Sequence, residues 1–433
     1  AGHQVSQLVP DPYAEVRFRV LEGEGRVQPR EMDTDDMGRA FARWTLGNAP
    51  GSQVASATVP GAQSPPILFQ ATAVTPVEAE SEEVAAEPSP PAPVRIRSRP
   101  FVMGGSHVCS LAGGSAVCRG SLDRGQGGGG SAQGLRSLAA GVSHGCGLQE
   151  GGVAWCWGAN ESGQLGDGST EDRMSAVQVD TDISFSVLVG GLSHTCGLDG
   201  DGAAFCWGRN LNGQLGNGSR TDRLQPSPVQ GGISFQSLTA GWNHTCGLAP
   251  DGTAYCWGLN EDGQLGDGTR VDRLAPTPVP GTFHSMVAGS GHTCGITGSE
   301  VLCWGADGFG QLGNGGGDRA RSTPTPVEGL PSPTGSLAAG AVHTCALLTD
   351  GRTYCWGQNL HGQLGDGTTE EAALPVRVAG GHRFVSLAAG GAMTCGFTED
   401  GSEYCWGMNQ AGQLGDGTRV NRSSPVRVGG NLP

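Results

Sequence analysis

Residues 194–208 read HTCGLDGDGAAFCWG, and close variants open at His107, His144, His244, His292 and His343, with Met393 opening a seventh copy. Every copy holds two cysteines: Cys109/Cys118, Cys146/Cys156, Cys196/Cys206, Cys246/Cys256, Cys294/Cys303, Cys345/Cys355 and Cys395/Cys405. In CGLDGDGAAFC (196–206) the spacing is ten and the turn centres on Asp201, whereas in CGITGSEVLC (294–303) the spacing is nine and the turn is Gly298-Ser299. A turn shorter by one residue shortens the spacing by one, so the cysteines stay opposite each other across a hairpin. CSLAGGSAVC (109–118) obeys the same rule. Opposed residues that share no mutual hydrogen bonds have Cα atoms close enough for a disulfide. The chain-entropy model assigns roughly 2–3 kcal/mol to each such short loop, an upper bound because the turn already restricts the unfolded chain.

The first cysteines recur every 48 to 51 residues after an opening step of 37. Each full unit runs through an apolar segment such as SLAAG (336–340 and 386–390), the two cysteine strands, a polar loop containing GQLG, and a PVxV-like segment. Four short strands at this period fit one blade of a propeller. Seven units predict a closed ring. The last PVxV-like segment, Pro425-Val426-Arg427-Val428, has no unit after it, and the interval 118–137 of the first unit lacks one. The expectation is therefore that strand 425–428 completes the first blade and removes both open edges.

The phrases HTCGL, SLAAG and YCWGLNEDGQLGDGT (255–269) resemble the repeat of the regulator of chromosome condensation family over roughly residues 99–430. The resemblance implies a seven-bladed β-propeller. It also implies a regulator of nucleotide exchange on a nuclear small GTPase, an activity that needs a reducing compartment, whereas cysteine-paired versions resemble secreted bacterial proteins.

Composition narrows the function classes. The chain has 433 residues with 77 Gly, 26 Pro and a net charge of −15; all 26 basic residues are arginine. Such a balance repels phosphate backbones and anionic lipid, so neither nucleic acid nor membrane insertion is expected as a partner. Fourteen cysteines in seven local pairs predict disulfides, an oxidising compartment, and a secreted or cell-surface location.

The histidines two residues before the first cysteines raise a competing zinc reading with one His and two Cys per unit. A fourth ligand is lacking and Met393 breaks the series, so hydrogen bonding within the blade is expected instead. Trp157, Trp207, Trp257, Trp304, Trp356 and Trp406, each following a second cysteine, are assigned to blade packing. Trp155 and Trp242 fall outside that pattern and are candidates for a local surface. The stretch GWNHT (241–245) resembles a motif of a photoreceptor with such repeats, which uses a tryptophan cluster. The loops GDGSTEDR (166–173), GNGSRTDR (216–223) and GDGTRVDR (266–273) read as Asx turns with an Asp–Arg contact, since they lack the oxygen count and spacing of an EF-hand. Asn160, Asn217, Asn243 and Asn421 stand in N-x-S/T triplets. No catalytic, cofactor or metal site is assigned, and GQGGGGS (125–131) lacks the P-loop lysine.

Residues 1–75 differ in kind. Val16, Phe18 and Val20, and then Ala40, Ala42, Trp44 and Leu46, alternate with polar residues as half-buried strands do. Segment 34–59 resembles the end of bacterial Ig-like domains, which implies a small β-sandwich. Six strands are expected, with the opening strands of a full sandwich missing. Residues 76–98 have an acidic, proline-rich linker composition, and the propeller is assigned to 99–433. The reading is an all-β, non-enzymatic structural or adhesive protein, the subunit of an extracellular fibre assembled with itself through the N-terminal domain by strand exchange. The alternative is a lectin-like propeller that recognises a glycan or protein.

Overall fold

The computed structural model describes residues 2–8, 15–22, 26–28, 31–33, 39–45, 51–58, 67–73, 101–298, 300–316, 319–331 and 333–429. The chain divides into two compact units, Ala1–Val94 and Arg95–Pro433. The linker stretch 76–98 and the turn residue Ser299 lie outside the described residues.

The N-terminal unit holds seven strands: β1 (Gly2–Leu8), β2 (Glu15–Glu22), β3 (Arg26–Gln28), β4 (Glu31–Asp33), β5 (Arg39–Thr45), β6 (Gly51–Thr58) and β7 (Ile67–Ala73). They form two sheets, ordered β1-β5-β3 and β4-β2-β6-β7. The alternating segments pair as expected, Phe18 opposite Ala57 and Trp44 opposite both His3 and Val27. Six strands were expected; the seventh is accounted for by the short pair β3 and β4, which lie only two residues apart yet join different sheets.

The second unit is a ring of seven antiparallel sheets. Each hairpin forms because Asp or Gly residues supply the turn: Asp199 Oδ1 accepts from the amides of Asp201 and Ala203, and Gly202 closes the turn at φ +83°. The cysteines face each other in register, Cys196 opposite Cys206 for example. All seven pairs are bonded, with Cα–Cα distances of 4.0–4.1 Å, the close approach of a strand pair without mutual hydrogen bonds. After the second cysteine, a tryptophan and a glycine in the left-handed region turn the chain into the polar loop, and an outer strand then pairs with the third.

Closure of the ring corrects one expectation. Strand Arg422–Arg427 pairs with its own seventh sheet, Val426 opposite Cys405, and does not complete the first blade. Blade one is three-stranded (Phe101–Met103, His107–Ala112, Ser115–Gly120), while the other six sheets have four strands. The physical reason is that the seventh polar loop is complete: Asp416 holds Arg422 in an ion pair and aims the following strand at its own blade.

The seam between blades seven and one is closed by side chains instead. Arg119 stands where the other blades carry tryptophan, and its Nε donates to the Gln413 carbonyl at 2.9 Å. The same guanidinium pairs with Glu403, both side chains being largely buried (8% and 16% exposed). Glu403 stands where other blades have Ala154, Ala204, Ala254, Val301 or Thr353. Arg119 and Glu403 thus belong together.

Candidate functional site

The interior between blades is a repeated polar web. The Thr195 hydroxyl donates to the Gln164 carbonyl at 2.8 Å and lies 2.9 Å from Nε2 of His144 in the preceding blade. The pattern repeats for His194–Thr245, His244–Thr293, His292–Thr344 and His343–Thr394, at 2.9–3.0 Å. A hydroxyl has one proton, and here it goes to the glutamine carbonyl, so its oxygen accepts from the imidazole. The network therefore assigns each of these histidines the neutral tautomer with hydrogen on Nε2. The Nδ1 atoms have no partner, and burial pushes the imidazoles down, to about 3 for His144, His194, His244 and His343 and to about 4 for His107 and His292.

The six tryptophans sit in the same joints, fully buried. Trp207 packs into the core of the blade before it, among Cys146, Cys156, Leu165, Val179 and Phe185. Trp257, Trp304, Trp356 and Trp406 do the same in the following joints, and Trp157 closes on Ala116 and Leu135. The indole N–H of Trp157, Trp257, Trp304, Trp356 and Trp406 donates to the carbonyls of Gln126, Gln214, Gln264, Gln311 and Gln363 at 2.9–3.0 Å. At four joints one carbonyl, that of Gln214, Gln264, Gln311 or Gln363, thus receives both the threonine and the tryptophan of the next blade. The glycine after that glutamine's leucine is required by packing, because a Cβ on Gly216 would meet the Trp257 indole nitrogen at 2.8 Å.

The series breaks at two joints. Gly145 replaces the threonine that would meet His107, whose Nε2 is left without a partner. At the closing seam Met393 and Val108 replace histidine and threonine together and pack in one apolar cluster with Met103, Cys395 and Cys405.

These engagements decide the zinc reading. The sulfurs are joined in pairs, which removes both thiolates of each one-His, two-Cys set, and Nε2 of five histidines is bound to threonine. Cys395, Glu403 and Cys405 cluster, but the two sulfurs are bonded to each other and Glu403 holds Arg119. The Asp–Arg loops are structural as well. Asp167 accepts from Asn160, from the Ser169 amide and hydroxyl, and from Arg173. Burial pulls its carboxyl upward, but the Ser169 and Arg173 hydrogen bonds outweigh that and leave it below the usual carboxylate range; Asp267 and Asp416 behave likewise. Asn160 is fully buried and engaged in its own loop, which is incompatible with glycosylation there.

Residues 201–248, 251–296, 299–347, 350–396 and 400–432 match the Regulator of chromosome condensation (RCC1) repeat. A second description of that repeat matches 135–164, 186–214, 235–264, 336–363 and 384–413. The chain belongs to the RCC1-repeat family. It is 35% identical over 97 residues to the ultraviolet-B receptor UVR8 of Arabidopsis thaliana, covering 22% of each chain. To the human regulator of chromosome condensation it is 40% identical over 72 residues, 17% of each chain. The matches to these relatives thus span at most about a fifth of their length. Among solved structures, yeast RCC1 (Prp20) bound to Kap60 superposes with a TM-score of 0.65 at 19% identity, covering 82% of this chain and 91% of that one. Prp20p of Saccharomyces cerevisiae, described with its binding to Gsp1p and histones, gives 0.62 at 23%, covering 68% and 77%. These likenesses concern the fold.

The RCC1-repeat ring encloses a central channel of about 310 Å³, lined by the inner strands and by the turns that follow them, Trp242 among them. The long polar loops emerge at the same end as these turns, because both follow strands that run in the same direction through the blade. At that end the repeat is varied by exposed apolar side chains. Leu211, Trp242, Phe309 and Leu360 are 53%, 40%, 38% and 67% exposed. Positions equivalent to Leu211 and Leu360 are Glu161, Glu261 and Gln410 in blades two, four and seven. Trp242 was singled out by the sequence; Leu211, Phe309 and Leu360 were missed. Their signal was available, since each interrupts a polar N-x-x-GQLG or D-x-x-GQLG register. Trp155 is half-buried, with its indole nitrogen unpartnered, and lies on a third strand opposite Gln178.

Proposed function

We propose that this chain is a non-enzymatic protein-recognition propeller of an oxidising, extracytoplasmic compartment, which takes its partner at the channel-mouth end of blades three to six. The observation that carries this reading is the set Leu211, Trp242, Phe309 and Leu360, exposed large apolar residues on the turns and polar loops at one end of blades three to six. Exposed large apolar residues gathered at one end are a mark of protein association. Prp20p, with its binding to Gsp1p and histones, and yeast RCC1 bound to Kap60 share the fold and support a protein-binding role. Seven disulfides, with no free cysteine among the described residues, fit an oxidising compartment, and no described helix is long and apolar enough to cross a membrane. The buried histidines are consumed by blade-to-blade hydrogen bonds, which supports a binding role over catalysis.

The test compares the full chain with a variant in which Leu211, Trp242, Phe309 and Leu360 are all serine. Retention of a defined set of secreted proteins from the source organism by the parent, lost in the variant at unchanged thermal stability, supports the reading. Equal retention by both sinks it. Binding to a glycan array in its place would establish the lectin-like alternative.

A second reading keeps the fibre. The order β1-β5-β3 and β4-β2-β6-β7 supports reading the N-terminal unit as an Ig-like sandwich, with β1 at the edge of its sheet among the described residues. An open edge accepts a strand from another copy. Light scattering that shows polymers lost on removal of residues 1–75 would establish that role; monomers in both samples would remove it.

A further inference from the structure

Blade one lacks the strand that every other blade carries on its outside, and the chain that would have formed it is used elsewhere. Gly125 and Gly128 lie against the backbone of Arg173 and Met174 in blade two, and Ser131 Oγ accepts from the Ala176 amide at 2.7 Å. Gly129 leaves no room for a Cβ beside Ala116 and Trp157. The segment after Gly120 crosses to the next blade, as the other polar loops do, but then packs over Ala116 and runs on without an outer strand, so that the Val117–Gly120 part of the strand is left as an outer edge.

The direction of its backbone groups follows from the disulfide. Cys109 and Cys118 oppose each other in the hairpin. A disulfide joins a pair without mutual hydrogen bonds, so the N–H and C=O of Cys118 point away from the neighbouring strand. In the other six blades the corresponding cysteine faces an outer-strand residue: Val177, Ser227, Thr277, Thr325, Val376 or Val426. Those six cysteines are 0% exposed, whereas Cys118 is half-buried and its neighbour Val117 is 36% exposed. Among the described residues no backbone hydrogen bond reaches that edge.

We infer that the Val117–Gly120 edge of blade one is an acceptor site for an added β-strand supplied by another polypeptide. The occupant is defined by what six equivalent edges already hold: an antiparallel segment with a β-branched or small residue opposite the cysteine, then Arg, Gln or Pro, then Val. That second valine bonds back to the third strand, as Val428 N to the Glu403 carbonyl (2.9 Å) and Val378 N to the Thr353 carbonyl (3.0 Å). A Val-Arg-Val sequence also suits a chain with net charge −15. Main-chain bonds to Cys118 supply the affinity and the residue opposite it sets the register; the seat of the second valine is already taken in blade one, where Ala132 packs on Ala116. This edge is separate from the channel-mouth residues of the proposed function, so either can fail without the other.

The experiment uses the full chain and a synthetic peptide, RSSPVRV, the sequence of residues 422–428. Amide hydrogen exchange in the free protein should find the Cys118 amide exchanging at least about a hundredfold faster than those of Cys156, Cys206, Cys256, Cys303, Cys355 and Cys405. Millimolar peptide should slow Cys118 about tenfold or more, and the peptide N-methylated at the valine opposite Cys118 should bind about tenfold more weakly. A Cys118 amide as protected as its six counterparts in the free protein would overturn the inference, because the edge would already be filled. A fast Cys118 that the peptide leaves unchanged, or equal binding by the N-methylated peptide, would overturn it too.

Discussion

Lowering the pH from 7 to 5 should loosen the ring through its histidines before its carboxylates titrate. His107, His144, His194, His244, His292 and His343 are held neutral in the fold, with values near 3 to 4, against about 6.5 for histidine in an unfolded chain. The folded value is depressed and the neutral form is the one the fold accepts. The unfolded chain therefore binds more protons below pH 6.5. Stability is complete above that value, falls as the pH drops, and levels only below the folded values of about 3 to 4. Between pH 7 and pH 5 each histidine costs about 2 kcal/mol, and the six together roughly 11 kcal/mol. A loss of that size rivals the whole net stability of a typical domain, about 5–15 kcal/mol. With an unfolding entropy near 2 cal/mol/K per residue over the ring, the melting temperature should drop by about 15 °C. Differential scanning calorimetry of the oxidised protein at pH 7, 6 and 5, at fixed ionic strength, measures this. Ring-proton NMR should find the same six imidazoles unchanged down to about pH 5 in the native state. A melting temperature that moves by only a degree or two, or imidazoles that titrate near 6.5 in the folded protein, would refute the assignment of neutral, Nε2-protonated histidines.

Three further outcomes follow from the joints. Trp257→Ala should cost about 3–5 kcal/mol in chemical denaturation, because the indole fills the core of the preceding blade and donates to Gln214. Thr245→Val keeps the shape but strands the His194 Nε2–H and removes one of the two donors to the Gln214 carbonyl, and should cost about 1–3 kcal/mol. Arg119→Ala alone leaves Glu403 buried without its partner and should cost about 3–5 kcal/mol. The double change Arg119→Trp with Glu403→Ala recreates an ordinary joint and should recover most of that loss, read by the same melts. A double variant as unstable as the single would show that the seam needs its ion pair.

The hairpins, their disulfides and the seven-fold period were legible because they are local: ten residues of sequence contain both cysteines and the turn that opposes them. Joints between blades were harder to read. His194 meets Thr245 across 51 positions, and the HTC phrase shows the two residues adjacent in sequence without showing that each serves a different neighbour. The seam was misread for the same reason. Arg119 in the CRG of residues 118–120 departs visibly from CWG, but its partner Glu403 lies 284 positions away, so the pair has meaning only once the ring is closed. The PVRV at 425–428 reads as spare because the first unit lacks such a segment, whereas the first blade is three-stranded. At the channel mouth, Leu211, Phe309 and Leu360 sit in loops whose polar frame masks them, and exposure is what sets them apart.

The seven hairpin disulfides staple every blade of the ring and carry the proposal that it works in an oxidising compartment. The decisive measurement is the intact mass of protein taken from its source organism, alkylated under denaturing conditions before and after reduction. All 14 cysteines are paired in the account. The unreduced sample should therefore take up no alkyl group, and the reduced sample should take up 14. Protein that arrives from the cell with its cysteines already open to alkylation would contradict the account and place the ring in a reducing compartment.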